Sequence, residues 1–166
     1  EQPKHKHIGD MRFLHAENLF LLNRLDEAVV GYTAFLTEEK IHEQRLAAEF
    51  RLAQVYHHKR QWAESNKRAV PLLAQKPDGK LFAQLSFVVG ENYFRLAQWA
   101  EAVVPFEAFL ANYITQPKNP KGKQQLTQGP NVDTALMQVG VAQARLGKMA
   151  EAIQSLDLLV SNFGAN

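Results

Sequence analysis

The sequence predicts an all-α chain of four helical hairpins stacked as a solenoid. Three observations carry this. First, the chain repeats itself: Gln61-Trp62-Ala63-Glu64 returns as Gln98-Trp99-Ala100-Glu101, 37 residues later. Second, a small residue is followed twelve positions on by another that stands directly after an acid. Ala16 leads to Glu27-Ala28, Ala53 to Glu64-Ser65, Gly90 to Glu101-Ala102 and Gly140 to Glu151-Ala152, so the units start 37, 37 and 50 residues apart. Third, apolar residues in each unit recur at three- and four-residue spacing, and no period-2 run of β-branched residues survives beyond a few positions.

Each unit reads as two amphipathic helices. The first helices are expected over 9–22, 42–59, 80–97 and 132–146, the second over 25–38, 62–75, 99–113 and 149–163. Asn23 and Gly147 stand where a first helix should stop, since both residue types tolerate the left-handed cap conformation. Pro77 closes the second unit because it cannot continue a helix. Short links within each unit force antiparallel neighbours. One domain over 8–165 is expected, with repeats over 9–40, 46–77, 83–114 and 133–164 and an insertion at 115–130. That insertion is rich in Pro, Gly and Gln, carries Lys118, Lys121 and Lys123 without an acid, and reads as a solvated loop.

The constant offset of twelve has a steric reason. Two antiparallel helices that pack closely need a small side chain on each where their axes approach, and the four small pairs supply it. Leu25, Trp62, Trp99 and Met149 stand three before the second small residue, and Tyr32, Phe106 and Leu156 stand four after it, filling the space beside the contact. A single hairpin cannot bury that face, so stacking of neighbours is required.

Composition bounds the chemistry. The 166 residues are 46% hydrophobic and 22% charged with a net charge of +2, the profile of a folded chain whose charge is too balanced to point to nucleic acid as a partner. Residues 1–83 carry thirteen basic and eleven acidic groups and residues 84–166 six of each, so charge marks no internal boundary. The longest apolar runs are a few residues, too short for a membrane span. Zero cysteines exclude disulfides, thiolate metal sites and thiol nucleophiles. The chain opens Glu1-Gln2-Pro3, which reads as a processed or excised piece.

Catalytic patterns are missing as well. No Gly-rich phosphate loop or G-x-S-x-G elbow occurs. Glu27, Glu64, Glu101 and Glu151 each fall in the first turn of a second helix, where the macrodipole favours negative charge; four equivalent places do not suit a catalytic acid. His57 and His58 are adjacent and diverge by about 100° on a helix. His5 and His7 lie in a polar terminus, His42 lacks a partner four residues on, and His15 is expected on the packing side of its helix. The chain reads as non-enzymatic, with no metal and no cofactor.

With these residues in place the chain resembles the tetratricopeptide repeat (TPR) family, over about residues 9–163. Val89-Gly90, Tyr93, Ala102 and Phe106 of the third unit match its pattern best; Leu52-Ala53, Tyr56, Ser65 and Pro77 of the second follow, while Leu19 and Gln143 replace the Tyr in the first and fourth. The resemblance implies a right-handed solenoid that serves as a protein-interaction scaffold, with a protein or peptide partner and no small-molecule substrate. The 37-residue period departs from the family's usual 34. Together with the endings Phe109-Leu110-Ala111-Asn112-Tyr113 and Leu159-Val160-Ser161-Asn162-Phe163 it is similar to longer-period members of the bacterial envelope. That likeness implies a periplasmic or cell-envelope location in preference to a cytoplasmic one. A regulatory domain that senses a peptide and controls an attached effector is the other function implied. Solenoid ends without polar caps imply more repeats, or another chain such as a second copy.

The resemblance also implies that the first helices line a concave groove. The residues three before and one, four and five after the small residue share one side of each helix. They include Phe13, Glu17 and Phe20; Phe50, Gln54 and His57; Phe87, Glu91, Phe94 and Arg95; and Met137 and Arg145. The stripe Phe13–Phe50–Phe87–Met137 has two readings, as core between helices or as a surface for an apolar or amphipathic segment. Phe13 and Glu17 occupy positions where the family's carboxylate-clamping members use Lys and Asn, so that mode is not expected here.

Overall fold

A computed structural model describes residues 6–77, 79–115 and 125–164. It divides into two compact units, Glu1–Lys76 and Pro77–Asn166. The first holds α1 (Lys6–Leu21), α2 (Leu25–Glu38), α3 (Arg45–His58) and α4 (Trp62–Ala74). The second holds α5 (Gly79–Arg95), α6 (Trp99–Leu110), two short strands β1 (Ile114–Thr115) and β2 (Gln125–Leu126), then α7 (Val132–Arg145) and α8 (Met149–Phe163). The fold is all-α and built of helical repeats: α1 packs on α2, α3 on α4, α5 on α6 and α7 on α8. Inside each unit the hairpins join through α2 and α3 or through α6 and α7.

The four first helices end alike. In the first hairpin the amides of Asn23 and Arg24 donate to the carbonyls of Phe20 and Leu19, both at 2.9 Å. Arg60 and Gln61 repeat this onto His57 and Tyr56, Ala97 and Gln98 onto Phe94 and Tyr93, and Gly147 and Lys148 onto Ala144 and Gln143. This is the Schellman arrangement, which needs one left-handed residue. It falls on Asn23 (φ 57°), Arg60 (58°), Ala97 (57°) and Gly147 (76°). Asn and Gly announce themselves in sequence, whereas Arg60 and Ala97 do not.

Ala53 with Ser65 and Gly140 with Ala152 meet as the offset of twelve requires, while Gly31 lies against Ala16 and Gly90 against Phe106. Ala16, Ala28, Ala53, Ser65, Ala102 and Ala152 are buried, and the Ser65 hydroxyl donates to the Ala53 carbonyl across the helix contact at 2.8 Å. A Cβ on Gly90 would lie 2.8 Å from Cδ1 of Phe106, and one on Gly140 would lie 2.9 Å from Cγ of Leu156. Each unit has its own core. Phe13, Leu19, Tyr32, Phe35 and Leu52 lead in the first; Val103, Phe106, Phe109, Leu136 and Val139 lead in the second.

Several boundaries move. α3 starts at Arg45 instead of residue 42, because Arg45 caps the preceding helix: its guanidinium donates to the carbonyls of Leu36 at 2.6 Å and Glu39 at 2.8 Å. α6 ends at Leu110 instead of 113, since a turn over 111–113 leads into β1. The insertion is not loop throughout. Ile114 pairs with Leu126 and Thr115 with Gln125 in an antiparallel ladder, and Ile114 and Leu126 pack against the second unit's core. Lys118, Lys121 and Lys123 lie outside the described residues, as does His5. His15 is exposed, contrary to its expected place in the packing. Its equivalents Leu52 and Val139 are buried in hairpins that pack on a preceding second helix, through the α2–α3 and α6–α7 contacts.

Candidate functional site

The predicted inner-face residues separate into buried and accessible groups. Phe13 is buried, its ring 5.6 Å from that of Phe35 and 6.2 Å from that of Tyr32, and Phe50 is buried too. Phe87 is half-buried against Phe106 and Phe109, with ring centroids 6.2 Å and 5.3 Å away. Met137, at the same repeat position, is exposed. The apolar stripe is therefore core at Phe13 and Phe50 and surface at Met137.

In the first unit the neighbouring positions form a connected, part-exposed array across α1 and α3. Arg51 Nε donates to Glu17 Oε1 at 2.9 Å, and an Arg51 terminal nitrogen donates to Gln54 Oε1 at 2.8 Å. The same guanidinium lies over the Phe20 ring, 5.7 Å from its centroid, a cation–π placement. The Phe20 ring also meets His58 at 5.5 Å, and the His57 ring meets His58 at 5.9 Å and Trp62 at 5.1 Å. From beneath, the Tyr32 hydroxyl donates to Glu17. Burial, then the hydrogen bond to Glu17, push the Tyr32 phenol well above its ordinary range, so it stays a donor. The structure thus brings Glu17, Phe20, Gln54 and His57 together. Glu17 and Arg51 are held by their neighbours, which lowers the entropy lost when a ligand binds.

The second unit places its predicted residues more loosely. Arg95 pairs with Glu91 at 3.1 Å, one helical turn apart. Phe94 is half-buried with its ring 5.2 Å from Trp99, edge to face. Arg145 is exposed at the end of α7. In the same unit a cleft of about 470 Å³ opens between α6, α7 and α8. Leu110, Leu136 and Leu158 line it, with Glu107, Gln143 and Glu151 among its polar groups. Gln143, where Tyr56 and Tyr93 stand in other hairpins, accepts from Ser155 at 2.9 Å and donates to Glu107 at 3.3 Å.

Two organising residues escaped the sequence reading. Arg51 stands two before Ala53, outside the periodic positions of the inner face, and Trp62 belongs by its spacing to the packing beside Ser65. The signal available was charge: Arg51 is the one basic residue among the equivalents Leu14, Arg51, Val88 and Gln138. Among the described residues no three His, Asp or Glu side chains stand close enough to hold a metal ion. Among them, too, no helix is long and apolar enough to cross a membrane.

A chain of antiparallel helical hairpins, repeated with the same helix caps, is a helical-repeat protein. Residues 134–165 match the family model of the tetratricopeptide repeat. Solved structures share the fold. BtubC (BKLC) from P. vanneervenii is 17% identical with a TM-score of 0.69, covering 91% of this chain and 61% of that one. A Podosopora anserina protein of nearly identical TPR-like repeats is 18% identical with a TM-score of 0.67, covering 96% and 76%. A Rap protein complexed with competence and sporulation factor is 18% identical with a TM-score of 0.60, covering 92% and 42%. The chain thus spans about six-tenths of the first of these and under half of the last. No curated protein matches in sequence. The family match is confined to the last hairpin, and the solved structures share the helical-repeat fold of the chain as a whole.

Proposed function

We propose that this protein is a non-catalytic scaffold that binds a peptide or helical segment of a partner on the inner face of its first helices. The observation that carries the reading is the Glu17–Arg51–Gln54 array with the Phe20 ring beneath the guanidinium. A carboxylate, a guanidinium and an amide offer a peptide both donors and acceptors, and a half-buried ring offers apolar contact. Such a combination of aromatic and Arg anchors suits a binding surface. Glu91, Phe94, Arg95, Met137 and Arg145 supply a second patch in the second unit. The 37-residue period and aromatic helix endings support a place within a larger bacterial envelope protein.

A second reading, a peptide-sensing regulatory domain, takes its support from the likeness to the Rap protein whose structure holds competence and sporulation factor. Both readings share one test. Peptides are selected from a random displayed library against the protein, and the bound peptide is mapped by NMR shift perturbation. Perturbations centred on Glu17, Phe20, Arg51 and Gln54, lost in Arg51→Ala, are expected. Perturbations confined to exposed second-helix positions such as Val30 and Val104 would overturn the assignment.

A further inference from the structure

We propose that the cleft between α6, α7 and α8 is a binding site for an arginine side chain of a partner polypeptide. Its walls all belong to one unit. Glu107 comes from α6, Gln143 from α7, and Glu151 and Ser155 from α8, over a floor that includes Leu110 and Leu136. On α8 the residues that line it stand about half a helical turn round from Ile153 and Val160. The opening therefore does not depend on what adjoins the far side of α8. Tyr56 and Tyr93 stand three after the small residue of their hairpins, and both pack against the cores of their units. In the fourth hairpin that position is Gln143, whose shorter side chain leaves room where a phenol ring would stand. The amide is buried and fixed at the wall, accepting from Ser155 at 2.9 Å and donating to Glu107 at 3.3 Å.

Charge selects the occupant. In the first unit α4 carries Lys67 and Arg68 two and three after its small residue, Ser65. Lys67 pairs with Glu64 at 2.5 Å, and Arg68 reaches across to Glu49 of α3 at 3.1 Å. At the equivalent positions α8 has Gln154 and Ser155, yet it keeps the carboxylate, with Glu151 in the place of Glu64. α6 adds a second carboxylate, Glu107, where α2 has Thr33. The first unit thus supplies its own cations here. The second offers two carboxylates and, among the described residues that line the cleft, no Lys, Arg or His. Leu136 replaces Glu49, so the floor is apolar. An arginine answers both features. Its stem covers the leucines while its head meets the carboxylates. The planar fork pairs with one carboxylate through two donors and keeps others for the Ser155 and Gln143 oxygens. Arg68 is the precedent within the chain, lying over the α3–α4 contact that corresponds to α7 and α8.

An NMR titration with acetyl-arginine amide tests this, with acetyl-citrulline amide as the neutral isostere. Saturable shifts centred on Gln143 and Ser155 are expected with arginine, and binding at least tenfold weaker with citrulline. Glu107→Gln and Glu151→Gln, both at exposed positions, should each weaken binding at least threefold, while Glu101→Gln, outside the cleft, should not change it. Gln143→Tyr, which restores the ring of the second and third hairpins, should abolish the shifts with helicity unchanged. Equal binding of citrulline, or parental affinity in both cleft carboxylate variants, overturns the proposal. Shifts centred on Glu17, Phe20 and Gln54 would also overturn it, while leaving the inner-face reading standing. So would binding that tightens at least tenfold when Lys118, Lys121 and Lys123 are all changed to Gln, since this chain's own lysines would then be the occupant.

Discussion

Adding a single methyl group at Gly90 tests whether the small-residue pairs set the distance between helices. Gly90 lies within α5, so alanine there should gain about 1 kcal/mol of helix propensity. Against this stands the geometry of the contact. The new Cβ would lie 2.8, 2.9 and 2.9 Å from Cδ1, Cε1 and Cγ of Phe106, where comfortable carbon–carbon separations are about 3.5–4.0 Å. The ring must retreat by about 0.6–1 Å. Phe106 is fully buried and packs on Phe87, so it has little room to do so. Overpacking of this kind costs about 1–3 kcal/mol, which exceeds the propensity gain over most of that range. Gly90→Ala should therefore lose about 1 kcal/mol net, and Gly90→Leu about 3 kcal/mol. Urea unfolding followed by circular dichroism reads the change directly. Phe106→Leu in the Gly90→Ala background should restore part of the loss, with a coupling of at least about 0.5 kcal/mol between the two sites. A Gly90→Ala variant more stable than the parent, or one uncoupled from Phe106, would show that this contact does not limit the helix approach.

The remaining predictions concern the caps, the buried phenol and the divided stripe. Ala97→Gly should stabilise by about 1 kcal/mol, since an L-residue pays roughly that to sit at positive φ, and Gly147→Ala should lose a similar amount; thermal unfolding of both variants checks the pair. Tyr32 keeps its proton in the folded chain but releases it near pH 10 when unfolded. Its contribution is therefore intact below pH 10 and declines by about 1.4 kcal/mol per pH unit above it. Tyr32→Phe should flatten the alkaline branch of a stability–pH curve; an unchanged branch would mean that the phenol is not held neutral. Phe13→Ala should cost about 3–5 kcal/mol and Met137→Ala well under 1 kcal/mol, because one truncation empties a core position and the other trims an exposed side chain; equal losses in urea unfolding would contradict the division of the stripe.

The inner-face array was only half legible in the sequence. Glu17, Phe20, Gln54 and His57 follow from helical periodicity, because a residue's side of a helix depends on its spacing alone. Arg51 did not follow, because a long side chain reaches past its own sector: its guanidinium crosses from α3 to Glu17 on α1 and to the Phe20 ring. The two functions of the stripe could not be told apart either. Phe13, Phe50, Phe87 and Met137 share one periodic position, and whether a ring is core or surface depends on what the next helix brings against it.

By itself the sequence determined the helices, their pairing and some of the points where they touch. These are local matters of period, of turn residues, and of small side chains at a fixed offset, as in Ala53 with Ser65 and Gly140 with Ala152. Tertiary structure alone decided that Arg60 and Ala97 adopt the left-handed cap. The hairpin geometry imposes that conformation on whatever residue stands there, outweighing a preference of about 1 kcal/mol. It also decided that Ile114 and Leu126 close the base of the insertion, a pairing between residues twelve apart that no periodicity encodes. And it decided which apolar faces stay open. Val103 and Ile153 occupy the same position in their repeats, yet one is covered and the other is not, since burial is a property of the neighbour and not of the residue.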